Sequence, residues 1–284
     1  MKLARYGAAG RERPVAIDEN GRARDLSGIV PDIAGQALTA VGLNLLRSVD
    51  IHTLPVVSDN ERIGPAVGAV GKIVCVGLNF RDHAAESNLP VPEQPVLFMK
   101  ATTAICGPND DVRIPRGLEK TDWEVELGVV IGDVARDVSV TAALEHVAGY
   151  TIVHDLSERA FQLEHGGQWD KGKGCDTFGP IGPWLVTRDE VTNPQALRMW
   201  LEVNDHRYQD GTSADMVFGV AELVSYISRY MTLAPGDIIS TGTPAGVGLG
   251  QDPPRYLVAG DVVTLAIEGL GKQRQRMVKT VFER

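Results

Sequence analysis

The chain reads as a strand-rich α+β protein built on a mixed sheet system, and three observations predict it. Short runs rich in β-branched residues recur between turn residues, as in Lys72–Gly77, Gly128–Gly132, Gly149–Val153 and Asp261–Glu268. Helical spacing is confined to a few stretches, Ala34–Leu46, Thr141–His146 and Val220–Tyr230. Thr121–Leu127 alternates at strand period, with Trp123, Val125 and Leu127 on one face and Glu124 and Glu126 on the other.

The 284 residues suffice for one large domain with a small appendage, and we expect a small module over residues 1–68 followed by a larger unit over 69–284. Val15–Leu26 gives two short strands about the Asn20-Gly21 turn. Leu38, Val41, Leu45 and Leu46 then fall near helical spacing, and Ser58–Gly71, with Gly64-Pro65 and Gly68, marks the boundary. A structural or dimer-contact role is the expectation for this module.

The buried strand Lys72–Gly77 runs into Leu78–Ser87. If that segment is a helical turn, His83 and Glu86 share a face, and an imidazole oriented by a carboxylate is a general-base pair. A surface pair with no role is the plainer alternative. The proline-punctuated stretch Asn88–Pro95 behind it makes the pair a candidate lid. Val96–Lys100 is a strand with a lysine at its end.

Glu124 and Glu126 on one face of a partly buried strand repel each other and desolvate badly unless a positive charge lies between them. A divalent cation answers this; a solvated polar face is the alternative. Gly149–Ser157 supplies a third carboxylate, Asp155, at the end of a core strand, with His154 directed to the opposite face. An all-carboxylate set prefers a hard ion, Mg²⁺ or Mn²⁺. Lys171 and Lys173 lie in a Gly- and Pro-rich stretch, where a lysine beside a metal can stabilise an oxyanion or bind a carboxylate. The GxxxxGK[ST] spacing of a phosphate loop is absent there. Farther on, Leu197–Arg207 reads as a hairpin and Val220–Tyr230 as an amphipathic helix. The loop Thr241–Gly248 offers backbone N–H groups to an anion, and Asp261–Glu268 and Met277–Phe282 are further strands.

Composition removes whole classes. A net charge of −9 leaves no basic stripe for nucleic acid. Cys75, Cys106 and Cys175 form no CxxC pair, which argues against a thiolate zinc site and fits a reducing cytosol. No apolar leader or long apolar run appears, so a cytoplasmic protein with no membrane partner is expected.

Six segments, taken in order, resemble the fumarylacetoacetate hydrolase family over essentially the whole chain. They are Gly77–Glu86, Phe98-Met99-Lys100, Trp123–Leu127, His154–Arg159, Lys173–Pro180 and Thr241–Gly248. The resemblance implies a mixed β-sheet roll with a small N-terminal α/β module, a homodimer, and a Mg²⁺ or Mn²⁺ ion held by Glu124, Glu126 and Asp155. It makes His83 and Glu86 the water-activating pair on a lid and Lys173 the active-site lysine. Gln162, Thr243, Arg159 and Lys100 fall to substrate binding.

Two departures stand out. His154–Ala160 replaces the family's Asn-Asp-Val-Ser-Ala-Arg-Asp, changing the polar positions at Glu158 and Ala160, and Phe80 stands where Tyr is common. The expected activity is metal-dependent hydrolysis of the C–C bond of a 2,4-dioxo acid, giving pyruvate and a carboxylic acid. Pro95–Lys100 and Ile114–Glu126 resemble members acting on 2,4-dioxo-3-deoxy-rhamnonate or -fuconate. The alternatives on the same scaffold are a ureidoglycolate lyase and an oxo-acid decarboxylase or isomerase. A metal-stabilised binding protein without turnover is the reading from another class, against which intact His83, Glu86 and Lys173 speak.

Overall fold

The computed structural model describes residues 1–58, 60–87 and 89–280. In chain order its first strands are β1 (Lys2–Tyr6), β2 (Arg13–Ile17), β3 (Ala23–Asp25), β4 (Ile73–Gly77), β5 (Val96–Lys100), β6 (Ile105–Cys106), β7 (Val112–Ile114) and β8 (Thr121–Asp122). There follow β9 (Val125–Ile131), β10 (Val147–His154), β11 (Ser157–Glu158), β12 (Gly179–Thr187), β13 (Arg198–Val203), β14 (His206–Thr212), β15 (Ile238–Ser240), β16 (Val262–Ile267) and β17 (Gly271–Lys279). Among the described residues four α-helices accompany them: α1 (Ala40–Arg47), α2 (Arg81–Glu86), α3 (Asp170–Lys173) and α4 (Val220–Tyr230).

A ten-stranded sheet runs β3-β2-β1-β12-β10-β9-β15-β4-β5, with β6 paired to β12. A five-stranded sheet, β14-β13-β16-β17-β7, and the two-stranded ribbon β11-β8 complete the system. The pairs β4–β15, β6–β12 and β7–β17 are parallel and the others antiparallel, so the mixed, strand-rich α+β architecture expected from the sequence is the one observed. Residues 1–68 feed β1–β3 into the large sheet through β1 and β12.

The middle of the large sheet is covered on both sides, and this is what buries the carboxylates. Trp123, Val125, Leu127 and Val129 pack into a core shared with Leu201 and Leu265 of the second sheet. Val130 and Val153, on the opposite face, join Ile73, Phe98 and Leu38 in another core. The alternation read in Thr121–Leu127 therefore survives, although the strand itself breaks at Trp123-Glu124 between β8 and β9.

Turn chemistry follows the sequence. Asn20-Gly21 connects β2 to β3 with Gly21 at φ +79, and Asn204-Asp205, both at positive φ, close the β13–β14 hairpin. Two helix expectations need correction. The stretch Ala34–Leu46 is divided at Thr39, which is extended and caps α1 through its hydroxyl by accepting from the Gly42 N–H. Gly42 packs against the backbone of Gln36 and Ala37, so α1 buries Leu43 and Leu46 and leaves Val41 and Leu45 exposed. The helix read over Thr141–His146 is a 3₁₀ segment, Ala143–His146, with the Thr141 hydroxyl bonded to that of Ser139. The strand read as Met277–Phe282 is the end of β17, with Phe282 outside the described residues, as is Asn88 of the proline-punctuated loop. Among the described residues no helix is long and apolar enough to cross a membrane.

Candidate metal centre and catalytic pocket

β9 and β10 pair with Val125 opposite His154 and Glu126 opposite Val153. Glu124 immediately precedes β9 and Asp155 immediately follows β10, and the Asp155 N–H donates to the Glu124 carbonyl at 3.0 Å. The sheet register thereby sets Glu124, Glu126 and Asp155 side by side, each offering an oxygen within 4.8 Å of the others. All three are buried. His154 turns away, its Nδ1 3.0 Å from Gln275, and burial holds its pKa down at about 3.

Around the cluster, charge is nearly but not fully balanced. The Lys173 ammonium, at the end of α3, donates to Glu124 Oε2 at 2.6 Å and Asp155 Oδ2 at 2.8 Å. Burial opposes its charge, yet Asp155 and Glu124 outweigh that and hold the ammonium protonated well beyond its usual range. Lys100 donates to Asp155 Oδ1 at 2.5 Å and to the Leu156 carbonyl. Arg159 donates to Asp122, to Glu124 Oε1 at 2.8 Å and to Gln162 Oε1 at 2.9 Å. Four carboxylates, Asp122, Glu124, Glu126 and Asp155, thus face three cations.

The unbalanced carboxylate is Glu126. Burial, then Asp155 and Glu124, push it up to about 8, although Ser240 Oγ and the Gly242 N–H both donate to its Oε2. Glu124 is also disfavoured by burial, but Lys173 and Arg159 keep it below its ordinary value. A clustered set of hard oxygen donors with one carboxylate in excess fits a divalent cation such as Mg²⁺ or Mn²⁺.

Opposite this cluster lies α2. His83 Nδ1 is 3.3 Å from Glu86 Oε2, and Glu86 Oε1 accepts from the Gly246 N–H at 2.9 Å. Asp82 accepts from the Ala245 N–H, so two carboxylates of α2 pin it to the 241–250 loop. Gly250 makes that approach possible, since a Cβ there would lie 2.3 Å from the Glu86 carboxyl carbon. Leu78, which leads into α2, sits at φ +54, a costly conformation for a leucine and one that recurs at functional sites.

One cavity of about 430 Å³ is lined by His83, Glu86, Glu124, Glu126, Lys173 and Thr243, together with Arg159 and Gln162. Small-molecule sites run to about 300–1,000 Å³. The arrangement joins a carboxylate cluster, a fixed ammonium and an imidazole–carboxylate pair in one space. Gln162 gives its oxygen to Arg159 and so keeps its amide nitrogen as a donor. The Thr243 hydroxyl donates to the Val125 carbonyl and accepts from Gln209.

Of the site residues singled out in the sequence, Asp155 and Lys100 lie outside the cavity wall, and Lys100 is the farther removed in role. It is buried behind Asp155, does not line the cavity, and serves as a charge partner to that carboxylate where a substrate contact was expected. Glu158 and Ala160, the departures noted near Asp155, do not line the cavity either; Glu158 faces the Thr121 hydroxyl and the Ala160 N–H. Phe80 is fully buried in the core. Burial raises the thiols of Cys75, Cys106 and Cys175, which makes poor nucleophiles of them.

Sequence reasoning passed over Asp122. It accepts from the N–H groups of Trp123, Gly248 and Leu249 and from Arg159 Nε, tying the loop beside α2 to the arginine that orients Glu124 and Gln162. An aspartate beside Trp123 carries no local mark of partners more than a hundred residues away.

Residues 72–278 match the model of the fumarylacetoacetate (FAA) hydrolase C-terminal domain. A Burkholderia ambifaria protein named only as a hydrolase is 61% identical over 276 residues, which span 97% of this chain and 98% of that one. The fold is similar to that of a fumarylacetoacetate hydrolase from Exiguobacterium antarcticum, with a TM-score of 0.88 and 35% identity over 99% of this chain and 100% of that one. It is also similar to the maleylpyruvate hydrolase of Sphingobium sp. SYK-6, solved with manganese(II) and pyruvate. There the TM-score is 0.82 and the identity 28%, over 99% of this chain and 100% of that one.

Proposed function

Because this chain belongs to the fumarylacetoacetate hydrolase family, we propose that it is a divalent-metal-dependent hydrolase of acylpyruvates, cleaving a 2,4-dioxo acid to pyruvate and a carboxylic acid. One observation carries the reading: the cavity lined by Glu124 and Glu126, the two members of the carboxylate cluster that reach it, is lined also by Lys173 and the His83–Glu86 pair. The manganese and pyruvate of the Sphingobium structure support the same chemistry.

Glu124, Glu126 and Asp155 would hold Mg²⁺ or Mn²⁺, which supplies Lewis-acid polarisation of the 2-oxo acid end and offsets charge developing there. The remaining work falls to side chains. Glu86 accepts the Nδ1 proton of His83, which fixes the tautomer and leaves Nε2 to take a proton from water. The hydroxide so formed adds to the distal C4 carbonyl. Collapse of the adduct breaks the C3–C4 bond, releases the carboxylic acid and leaves the electron pair on the pyruvate fragment as an enolate. The Lys173 ammonium, fixed beside Glu124 and Asp155, stabilises that negative charge. Protonation at C3, from the His83 imidazolium, completes pyruvate. Gln162, with its amide nitrogen free, and Thr243 orient the substrate.

The intact His83–Glu86 pair favours hydrolysis over lyase or decarboxylase chemistry, neither of which needs an activated water. The test is loss of the enolised-diketone absorbance on a panel of acylpyruvates with Mg²⁺ or Mn²⁺, pyruvate being assayed as product and EDTA as inhibitor. Metal-dependent pyruvate release is expected. Silence across the panel with metal bound refutes hydrolysis.

A further inference from the structure

The geometry points to an apolar acyl group as the part of the substrate that this pocket selects, an inference that rests on the acylpyruvate reading and narrows it. Away from the carboxylates the cavity wall is made of Leu78, Leu89, Phe98, Leu163, Trp169 and Leu249. Three of these, Leu89, Leu163 and Leu249, are substantially exposed, and large apolar side chains gathered at the mouth of one cavity mark a surface that a ligand covers.

The aromatic part of the wall is built rigidly. The Trp169 ring lies so close over Gly77 that a Cβ there would come within 2.4 Å of it. Phe98 meets Trp169 edge-on at 5.3 Å between centroids, and the Lys173 ammonium lies 5.2 Å from the Phe98 centroid. The apolar wall therefore begins directly beside the group assigned to the pyruvate end.

The charges of the cavity are already spent. Among its described lining residues the permanent cations are Arg159 and Lys173, and both are committed to buried carboxylates. A second carboxylate at the far end of the substrate, such as the maleyl group of the Sphingobium enzyme's substrate carries, would find no uncommitted permanent cation among those residues. A polyhydroxylated chain, as in a deoxy sugar acid, would bring several hydroxyls against a wall whose described side chains offer Ser87 as the one polar group not already given a role. A straight or branched hydrocarbon chain, or an aryl ring, meets the wall without leaving polar groups unpaired.

Binding tests this apart from turnover. Mn²⁺-loaded protein is titrated calorimetrically with 2-oxobutanoate, 2-oxohexanoate and 2-oxooctanoate, which lack the 4-oxo group and are not cleaved. The same protein is titrated with 2-oxooctanedioate and 2-keto-3-deoxygluconate. Affinity should rise about fourfold per added methylene, and the dioate and the polyol should bind at least about tenfold more weakly than 2-oxooctanoate. Leu163→Arg, at a half-exposed position that tolerates charge, should flatten the length dependence and strengthen dioate binding about tenfold. Equal affinities along the series, preference for the dioate or polyol, no measurable binding, or an unchanged order in Leu163→Arg would overturn the proposal. Affinities that follow tail length in a protein that cleaves no acylpyruvate would uphold the apolar selection and remove the hydrolase reading alone.

Discussion

Replacing Asp122 with asparagine tests whether the pocket is held together from behind. The carboxylate is fully buried and accepts four hydrogen bonds. Oδ1 takes the N–H groups of Trp123 at 2.7 Å and Gly248 at 2.6 Å, and Oδ2 takes Arg159 Nε at 2.8 Å and the Leu249 N–H at 2.9 Å. Asparagine has the same shape, but whichever way its amide is turned the NH₂ group confronts two donors. Each stranded donor costs about 1–3 kcal/mol, and removing one partner of a buried ion pair costs about 3–5 kcal/mol. The two costs overlap at Arg159, so about 3–5 kcal/mol is the expected loss. For a chain of this size that is a fall in Tm on the order of 10 °C. Because Arg159 also grips Glu124 and Gln162, affinity for Mn²⁺ should drop about 10–100-fold at temperatures where the variant is folded. Thermal unfolding of metal-free protein reads the first effect and calorimetric titration the second. A variant that melts within about 2 °C of the parent and binds Mn²⁺ normally would show that the four-donor arrangement holds nothing.

Other expected outcomes follow from the same geometry. Glu124→Gln should keep the fold while losing at least about a hundredfold in Mn²⁺ affinity, and metal retained at full occupancy would take Glu124 out of the ligand set. His83→Ala should retain the metal and lose about 10²–10⁴ in kcat; undiminished hydrolysis would point to another base. Glu126, pushed up to about 8 in the metal-free protein, is protonated at pH 7, whereas a metal ligand must be ionised. Metal uptake should therefore release close to one proton at pH 7, and affinity should weaken about tenfold per pH unit below pH 8 and level off above it. Calorimetry in two buffers of different ionisation enthalpy counts that proton, and a count of zero would contradict the assigned state.

The parts of the structure that were readable in the sequence are those whose cause is local. Period-two alternation needs only neighbouring residues, so Trp123, Val125 and Leu127 could be set against Glu124 and Glu126 before any partner was known. The turns at Asn20-Gly21 and Asn204-Asp205 needed only residues tolerant of positive φ. Helix α1 shows where this stops. Val41 and Leu45 satisfy helical spacing as well as Leu43 and Leu46 do. What decides between the two faces is the contact of Gly42 with the backbone of Gln36 and Ala37, a packing event that the pattern of apolar residues does not encode.

The site divides along the same line. Lys100 and Lys173 carry the same charge and end beside the same Asp155. They differ only in which side of that carboxylate they reach: Lys173 lies on the cavity side, whereas Lys100 is sealed behind it. That difference is set by the β4–β5 pairing, which fixes the end of β5, and by the short helix α3. Asp122 goes one step further, since apart from the adjacent Trp123 N–H its donors come from Arg159 and the 248–249 loop. A sequence reading can therefore name carboxylates that need a cation, but it cannot apportion the cations among them. The apportioning matters here, because Lys100, Lys173 and Arg159 together leave Glu126 as the carboxylate in excess, the one a divalent ion would discharge.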